Sequence, residues 1–310
     1  MRLLTNEDVS GLLTVEECIP VVERVFKEIE NTQMPPKIYL DIPNGDFRAM
    51  PAVVGNTAGI KWCGVHMDES GKKRKINIFA KVLINDVESG KLLAIMDAEV
   101  LTATRTAAVT GVATRYMSPE DARVAAFIGC GMQTPRQIQA VCAVRNIVRV
   151  NLFDLDEDRM FEMCKTMEYL HAMGTEVHPC LDLEGCVGNA DIVTTLTPSR
   201  EGFLDYHMLK DVCHINAVGA DAAGKRELRA NVLRGVGVIA YDEWEQCSHS
   251  GEIQYLDELS EHGALLSLAH IVKDGFYRED QTLFDATGLA IEDVATARYI
   301  YDKITNAICG

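Results

Sequence analysis

Apolar positions along the chain fall into two rhythms, and the change between them divides it. Val15 to Ile29 carries apolar residues at helical spacing with charges between them, which predicts an amphipathic helix. Before it, Leu3 to Leu13 reads as a short strand, a turn and a capped helix start. Ile38, Leu40 and Ile42 then alternate with polar residues up to the Asn44-Gly45 turn, and Phe47 to Val53 resumes the pattern. This is a hairpin that carries Lys37 and Arg48. Gly59 to Val65 and Ile76 to Leu83 add two strand-like runs, separated by the basic stretch GKKRK, whose Lys72 to Lys75 read as a solvated loop. After a turn at Val87 to Lys91, the run LLAIMDAEVLTATRTAAVTGVATRYM reads as one long helix of small residues, with Arg105 near its beginning.

Ser118 to Asp121 reads as a linker, and from Arg123 onward short apolar runs alternate with helical segments, the pattern of a parallel sheet covered by helices. Val124 to Ile128 is the first strand, Thr134 to Arg145 the first helix and Val148 to Phe153 the second strand. Further strands are expected at Glu176 to His178, Asp191 to Thr195, His214 to Ala217 and Val236 to Ala240, so the fold class is α/β with a doubly wound sheet. Ala290 to Ile308 is a last amphipathic helix. No internal repeat interrupts this order.

Between the first strand and helix of this region stand Gly129 and Gly131. Glycines there permit a sharp turn and close approach of a diphosphate, and the free amides of the following helix favour negative charge. A full G-x-G-x-x-G would place a third glycine where Thr134 stands. Asp154 ends the second strand about 25 residues after Gly129, where a carboxylate accepts from both ribose hydroxyls and repels a 2′-phosphate, favouring NAD over NADP. A strand-end aspartate also caps helices. Thr194, Thr195 and Thr197 fall at the carboxyl end of another strand, the ligand-binding edge of open α/β sheets, although threonine also suits strands as a β-branched residue.

Composition narrows the classes of function. At 310 residues and 47% hydrophobic the chain has ample material for a buried core, and a formal net charge of −16 argues against nucleic acid as a partner. Met1 to Asp8 lacks the basic start and apolar run of a secretory signal, and no apolar run approaches the roughly 18 residues of a membrane span. A cytoplasmic location is therefore expected. Ten cysteines are spread without C-x-x-C spacing, which predicts buried thiols and no metal site.

Taken in order, MPPK, FRAMPA, GIKW, RTAAVTG, IGCGMQ, TTLTPS, HINAVGADAAGKREL, HSGEI and FDATGLAIEDVA resemble the ornithine cyclodeaminase/mu-crystallin family over nearly the whole chain, and within it the archaeal-type alanine dehydrogenases. The resemblance implies a homodimer with a Rossmann domain over residues 118–289. That domain would be inserted in an α+β substrate-binding and dimerisation domain formed by residues 1–117 and 290–310. The family's phosphate loop is G-x-G-x-Q, so Thr134 ceases to be anomalous and Gly129, Gly131, Met132 and Gln133 carry the diphosphate contacts. By the same resemblance Asp154 holds the ribose, Arg105 and Thr106 face the cofactor phosphates, and Thr195, Thr197, Val218 and Lys225 lie along the nicotinamide half. Lys37, Lys61 and Arg105 surround the substrate carboxylate, whose permanent charge suits charge-assisted hydrogen bonds. Asp221 aligns with the family's catalytic aspartate, acting as acid and base toward water at the imine carbon.

Three positions depart from the pattern. In the cyclodeaminases the residue before A/L-M-P is acidic and receives the substrate's distal amine, but here it is Arg48, whose guanidinium accepts no proton. Asn77 replaces a threonine and Ala286 a serine. Arg48 points away from ornithine cyclodeamination and toward a substrate without a distal cation, such as L-alanine oxidised with NAD and water to pyruvate and ammonia. A second carboxylate read by Arg48, in a dicarboxylic imine or amino acid, is one alternative. A cyclic imine of the pyrroline-2-carboxylate type, ornithine itself, and nucleotide-dependent ligand binding without turnover, as in mu-crystallin, also stand.

Overall fold

The computed structural model describes residues 1–68, 75–258, 262–276 and 281–309, so of the expected solvated loop Lys72 to Lys75 all but Lys75 lies outside the described residues. The chain begins with β1 (Arg2–Leu4), α1 (Asn6–Leu12), α2 (Val15–Lys27), β2 (Thr32–Gln33) and β3 (Ile38–Ile42). It continues through β4 (Gly45–Val54), β5 (Thr57–Asp68), β6 (Lys75–Asp86), β7 (Leu92–Asp97) and α3 (Glu99–Met117). Then come β8 (Val124–Ile128), α4 (Thr134–Val144), β9 (Arg149–Phe153), α5 (Glu157–Thr166), β10 (Glu176–Pro179), α6 (Leu183–Val187), β11 (Ile192–Thr195) and β12 (His214–Ala217). Last are α7 (Ala230–Gly235), β13 (Val238–Tyr241), α8 (Trp244–Ser250), β14 (Ala264–Ser267), α9 (Leu268–Asp274), β15 (Thr282–Asp285) and α10 (Ala290–Cys309). Two compact units result, Met1–Thr106 with Leu289–Gly310, and Ala107–Gly288.

In the first unit a seven-stranded sheet runs β1-β7-β6-β5-β4-β2, with β3 paired to β4. Only β1 joins its neighbour in parallel; the other described pairs are antiparallel. Alternation along β5 turns Gly59, Lys61 and Cys63 toward α10, and a Cβ on Gly59 would lie 2.9 Å from Val294 of that helix. Trp62, Gly64 and His66 therefore face the other way. Helix α2 starts on a capping box, Thr14 with Glu17, and buries Val15, Cys18, Ile19, Val22, Val25 and Phe26 along one side. That buried stripe carries the helix through Pro20, which lacks the amide of an interior turn.

One expectation is corrected here. The stretch LLAIMD does not open the long helix; it forms β7, paired with β6 and β1. The helix begins only at Glu99, where the side chain of Asn6 accepts from the Val100 amide and donates to the Glu99 carboxylate. That cap comes from a residue more than 90 positions away and is invisible to local reading.

The second unit holds an eight-stranded sheet in the order β10-β9-β8-β11-β12-β15-β13-β14, with every pairing parallel. This is the doubly wound Rossmann arrangement, with its order reversing between β8 and β11. Alternate residues of β8 feed the two sides: Ala126 and Ile128 pack with Ile215 and Leu228, while Ala125 and Phe127 pack with Ile138, Leu152 and Met160. Strands β14 and β15 escaped the sequence reading, and β15 sits between β12 and β13.

Candidate active site

The residues singled out in the sequence fall into two groups, one in each unit. In the second unit the predicted residues gather at the carboxyl edge of the sheet. Gly129 follows β8 with φ +100°, a left-handed value that favours glycine, and a Cβ there would lie 3.1 Å from the Leu196 carbonyl oxygen. The Thr134 hydroxyl donates to the Gly129 carbonyl at 2.7 Å, so the threonine in place of a third glycine braces the turn. Among the described residues a Cβ on Gly131 would meet nothing within 4 Å, so none of their packing demands glycine there. Helix α4 has no side-chain cap at its N-terminus. An open glycine before an uncapped helix start fits a diphosphate that approaches the backbone closely. Met132 is exposed on the same turn, and the Oε1 of Gln133, although buried, has no hydrogen-bond partner among the described residues.

Asp154 lies past the end of β9, its carboxylate fixed by the Cys130 amide at 2.7 Å and the Asp156 amide at 2.8 Å. It is thus presented beside the glycine turn, where an acceptor for ribose hydroxyls belongs. Thr195 ends β11, and its hydroxyl donates to Glu227 at 2.6 Å. Glu227 also accepts from the Thr197 amide at 2.6 Å and the Gly219 amide at 2.9 Å. This buried carboxylate, which the sequence reading missed, ties the ends of β11 and β12 together. Burial raises its ionisation above the usual range even though its three donors pull it down. Gly219 is required beside it, because a Cβ would lie 2.3 Å from the Thr197 carbonyl oxygen and 2.6 Å from the Glu227 carboxyl. Val218 donates to the Thr195 carbonyl at 3.1 Å. In the loop beyond β12, Lys225 pairs with Asp221 and reaches the Gly219 carbonyl at 3.3 Å.

In the first unit Lys61 and Arg105 meet on Asp293, a second residue the sequence reading passed over. Lys61 Nζ lies 2.8 Å from Asp293 Oδ2 and Arg105 Nε 2.8 Å from Asp293 Oδ1, while Arg105 Nη1 contacts Glu292 Oε2 at 2.8 Å. Both acids come from the first turn of α10, where the helix dipole favours negative charge. All four side chains are buried. Burial and then Arg105 depress the Lys61 ammonium against the pull of Asp293. Burial alone would raise the Asp293 carboxyl, but Arg105 and Lys61 outweigh it and hold it below the usual range. Among the described residues Arg105 Nη2 has no hydrogen-bond partner, and Lys61 bonds to Asp293 alone. Buried donors left over in this way suit a ligand anion.

Arg48 shares this face of the sheet, since it lies opposite Cys63 and its neighbour Met50 opposite Lys61. Its guanidinium forks onto Asp46, Nε to Oδ1 at 2.6 Å and Nη2 to Oδ2 at 3.2 Å, with the Tyr39 ring 5.4 Å away. Lys37, half-buried, immediately precedes β3, and half-buried Thr106 follows Arg105 on α3. The opposite face carries exposed Ile42, Phe47, Trp62 and Phe79 around a hollow of about 600 Å³. Asn77 stands on that outer side, opposite His66, whereas Ala286 is buried just after β15.

The sequence profile of the ornithine cyclodeaminase/mu-crystallin family matches residues 1–307. Alanine dehydrogenase of Archaeoglobus fulgidus is 34% identical over 310 residues, covering 97% of this chain and 94% of that protein. Among solved structures, an archaeal alanine dehydrogenase dimer with bound NAD superposes with a TM-score of 0.90 at 32% identity, covering 100% of this chain and 98% of that one. The Δ1-pyrroline-2-carboxylate reductase of Thermococcus litoralis, with NADH and L-proline, gives a TM-score of 0.90 at 29% identity, covering 99% and 98%.

Proposed function

Because the chain belongs to the ornithine cyclodeaminase/mu-crystallin family, we propose that it is an NAD-dependent oxidoreductase of small 2-amino acids and their 2-oxo acid or imine counterparts, acting on L-alanine or a close analogue. The observation that carries this reading is the buried meeting of Lys61 and Arg105 on Asp293, with N–H donors left over for one carboxylate. Asp293 and Glu292 hold the two cations in place before substrate arrives, so little ordering is left to binding. Lys37 adds a third cation to the same carboxylate.

NAD, when bound, supplies the hydride acceptor. Gly129, Gly131, Met132 and Gln133 would hold its diphosphate together with Arg105 and Thr106, and Asp154 its ribose. Thr195, Thr197, Val218 and Lys225 would line the nicotinamide half. Asp221 takes the proton from the water that adds to the imine carbon and returns one to the departing ammonia. Its pairing with Lys225 fixes the carboxylate in the loop. Arg48 and the absence of an acid before Ala49 speak against a substrate with a distal amine. A cyclic imine substrate is the second reading, supported by the close superposition on the pyrroline-2-carboxylate reductase.

The exposed apolar face of the first unit suits a second copy of the chain, in line with the dimer of the archaeal relative. Nine described cysteines are free thiols, which fits a reducing cytoplasm. No helix among the described residues is long and apolar enough to cross a membrane.

The test is a panel followed at the NADH absorbance: L-alanine with NAD, pyruvate with ammonia and NADH, and pyrroline-2-carboxylate with NADH. Asp221→Asn is expected to lower turnover by about 10²-fold or more while NAD affinity stays within about twofold. Loss of NAD binding in that variant overturns the role of Asp221, and wild-type activity with the cyclic imine alone moves the protein to the second reading.

A further inference from the structure

The Asp46–Arg48 pair lies on the face that holds Lys61, and the chemistry above uses Arg48 without its partner Asp46. Arg48 sits diagonally from Lys61 across β4 and β5, a spacing of about 7–8 Å, within reach of the side chain of an amino acid whose carboxylate is held at Lys61. Cys63, buried, stands opposite Arg48 and two residues from Lys61 on the same face, so the two ion pairs flank one thiol. Asp46 and Arg48 are two apart on β4, so both project to the same side, and the bidentate fork leaves them 19% and 12% exposed. Water screens such a pair only partly.

We infer that Asp46 is a specificity-determining residue that neutralises Arg48 and thereby disfavours substrates with a charged side chain of either sign. A second carboxylate drawn to Arg48 meets the Asp46 carboxylate on the same guanidinium. A distal ammonium drawn to Asp46 meets Arg48. An uncharged side chain meets a pair of zero net charge, held in place by the Tyr39 ring. Selectivity then rests on the repulsive partner as much as on any attractive contact.

This rests on the amino acid dehydrogenase reading above, and the two can fail separately. NADH formation is measured with L-alanine, L-aspartate and L-2,4-diaminobutyrate for the wild type, Asp46→Asn and Arg48→Gln. Asp46→Asn takes the forking carboxylate off Arg48, and its ratio of kcat/KM for aspartate over alanine is expected to rise about tenfold or more, through KM. Arg48→Gln leaves a net negative charge, and its ratio for diaminobutyrate over alanine is expected to rise to a similar degree. Partial unfolding cannot produce opposite changes in two variants. A proportional loss on all three substrates, or a wild type that prefers aspartate, overturns the inference while the dehydrogenase reading stands. If the wild type oxidises none of the three, that reading falls for open-chain amino acids. The dissociation constants of propionate, succinate and 4-aminobutyrate in the presence of NAD, measured by calorimetry, then decide the matter. The same reciprocal pattern supports the role of Asp46, and its absence overturns it.

Discussion

The cations of the first unit were legible in the sequence, and their partners were not. Lys61 and Arg105 are picked out by the family resemblance, since each alone reads as a surface charge, whereas Glu292 and Asp293 read as ordinary first-turn acids of a helix. Only the packing of α10 against the sheet shows that these acids are buried and paired. The same holds for Asp46, whose exposure to solvent is the default for an aspartate beside a hairpin turn. Because Asp293 bridges two buried cations, Asp293→Asn leaves Lys61 without its counter-charge and Arg105 with Glu292 alone. Breaking a buried pair from one side costs about 3–5 kcal/mol. Urea unfolding of the variant is expected to show a loss of that order, and a stability within about 0.5 kcal/mol of the wild type would mean that water or another group compensates.

At the scale of elements, the alternation of strands and helices after Arg123 specified the parallel sheet, because short apolar runs with no alternation, bounded by turn residues, recur between helical segments. Two kinds of element were hidden. LLAIMD is a short apolar run with no decisive period, and the cap that starts α3 one turn later comes from Asn6. TLFD is four residues long, buried throughout, and its place between β12 and β13 is set by tertiary pairing alone. The strand ends that form the candidate cofactor site are likewise held by a distant group, since Glu227 accepts from Thr195, Thr197 and Gly219 at once. Glu227→Gln turns an amide N–H₂ toward a backbone donor, which leaves at least one buried donor unsatisfied at a cost of about 1–3 kcal/mol. Calorimetric titration is expected to show NAD affinity falling several-fold alongside a lowered melting temperature. Unchanged NAD affinity in a destabilised variant would assign Glu227 to the fold alone.

For the whole molecule, the formal charge of −16 gives no hint of how many acids the second unit buries without an ion pair among the described residues. Glu227, Asp242, Glu252 and Asp285 are all enclosed there, satisfied mainly by backbone amides and hydroxyls. Asp285 accepts from the Ile253 amide at 3.0 Å, its Oδ1 has no partner among the described residues, and a Cβ on Gly251 would lie 2.3 Å from its Oδ2. Burial, with Asp242 and Glu227 adding like charge, pushes its ionisation from 3.8 up to about 8. The folded state therefore holds a proton that the unfolded chain releases near pH 4. Stability linked to this group is fully present below the unfolded value and falls as pH rises, until the folded carboxyl ionises near 8. Asp285→Asn keeps an acceptor for Ile253 and cannot ionise, so its melting temperature is expected to lie nearest the wild type's at about pH 4 and to exceed it by a margin that grows up to about pH 8. Parallel melting curves for the two proteins across that range would show that Asp285 is ionised in the folded state throughout, with a counter-charge that the buried cluster does not supply.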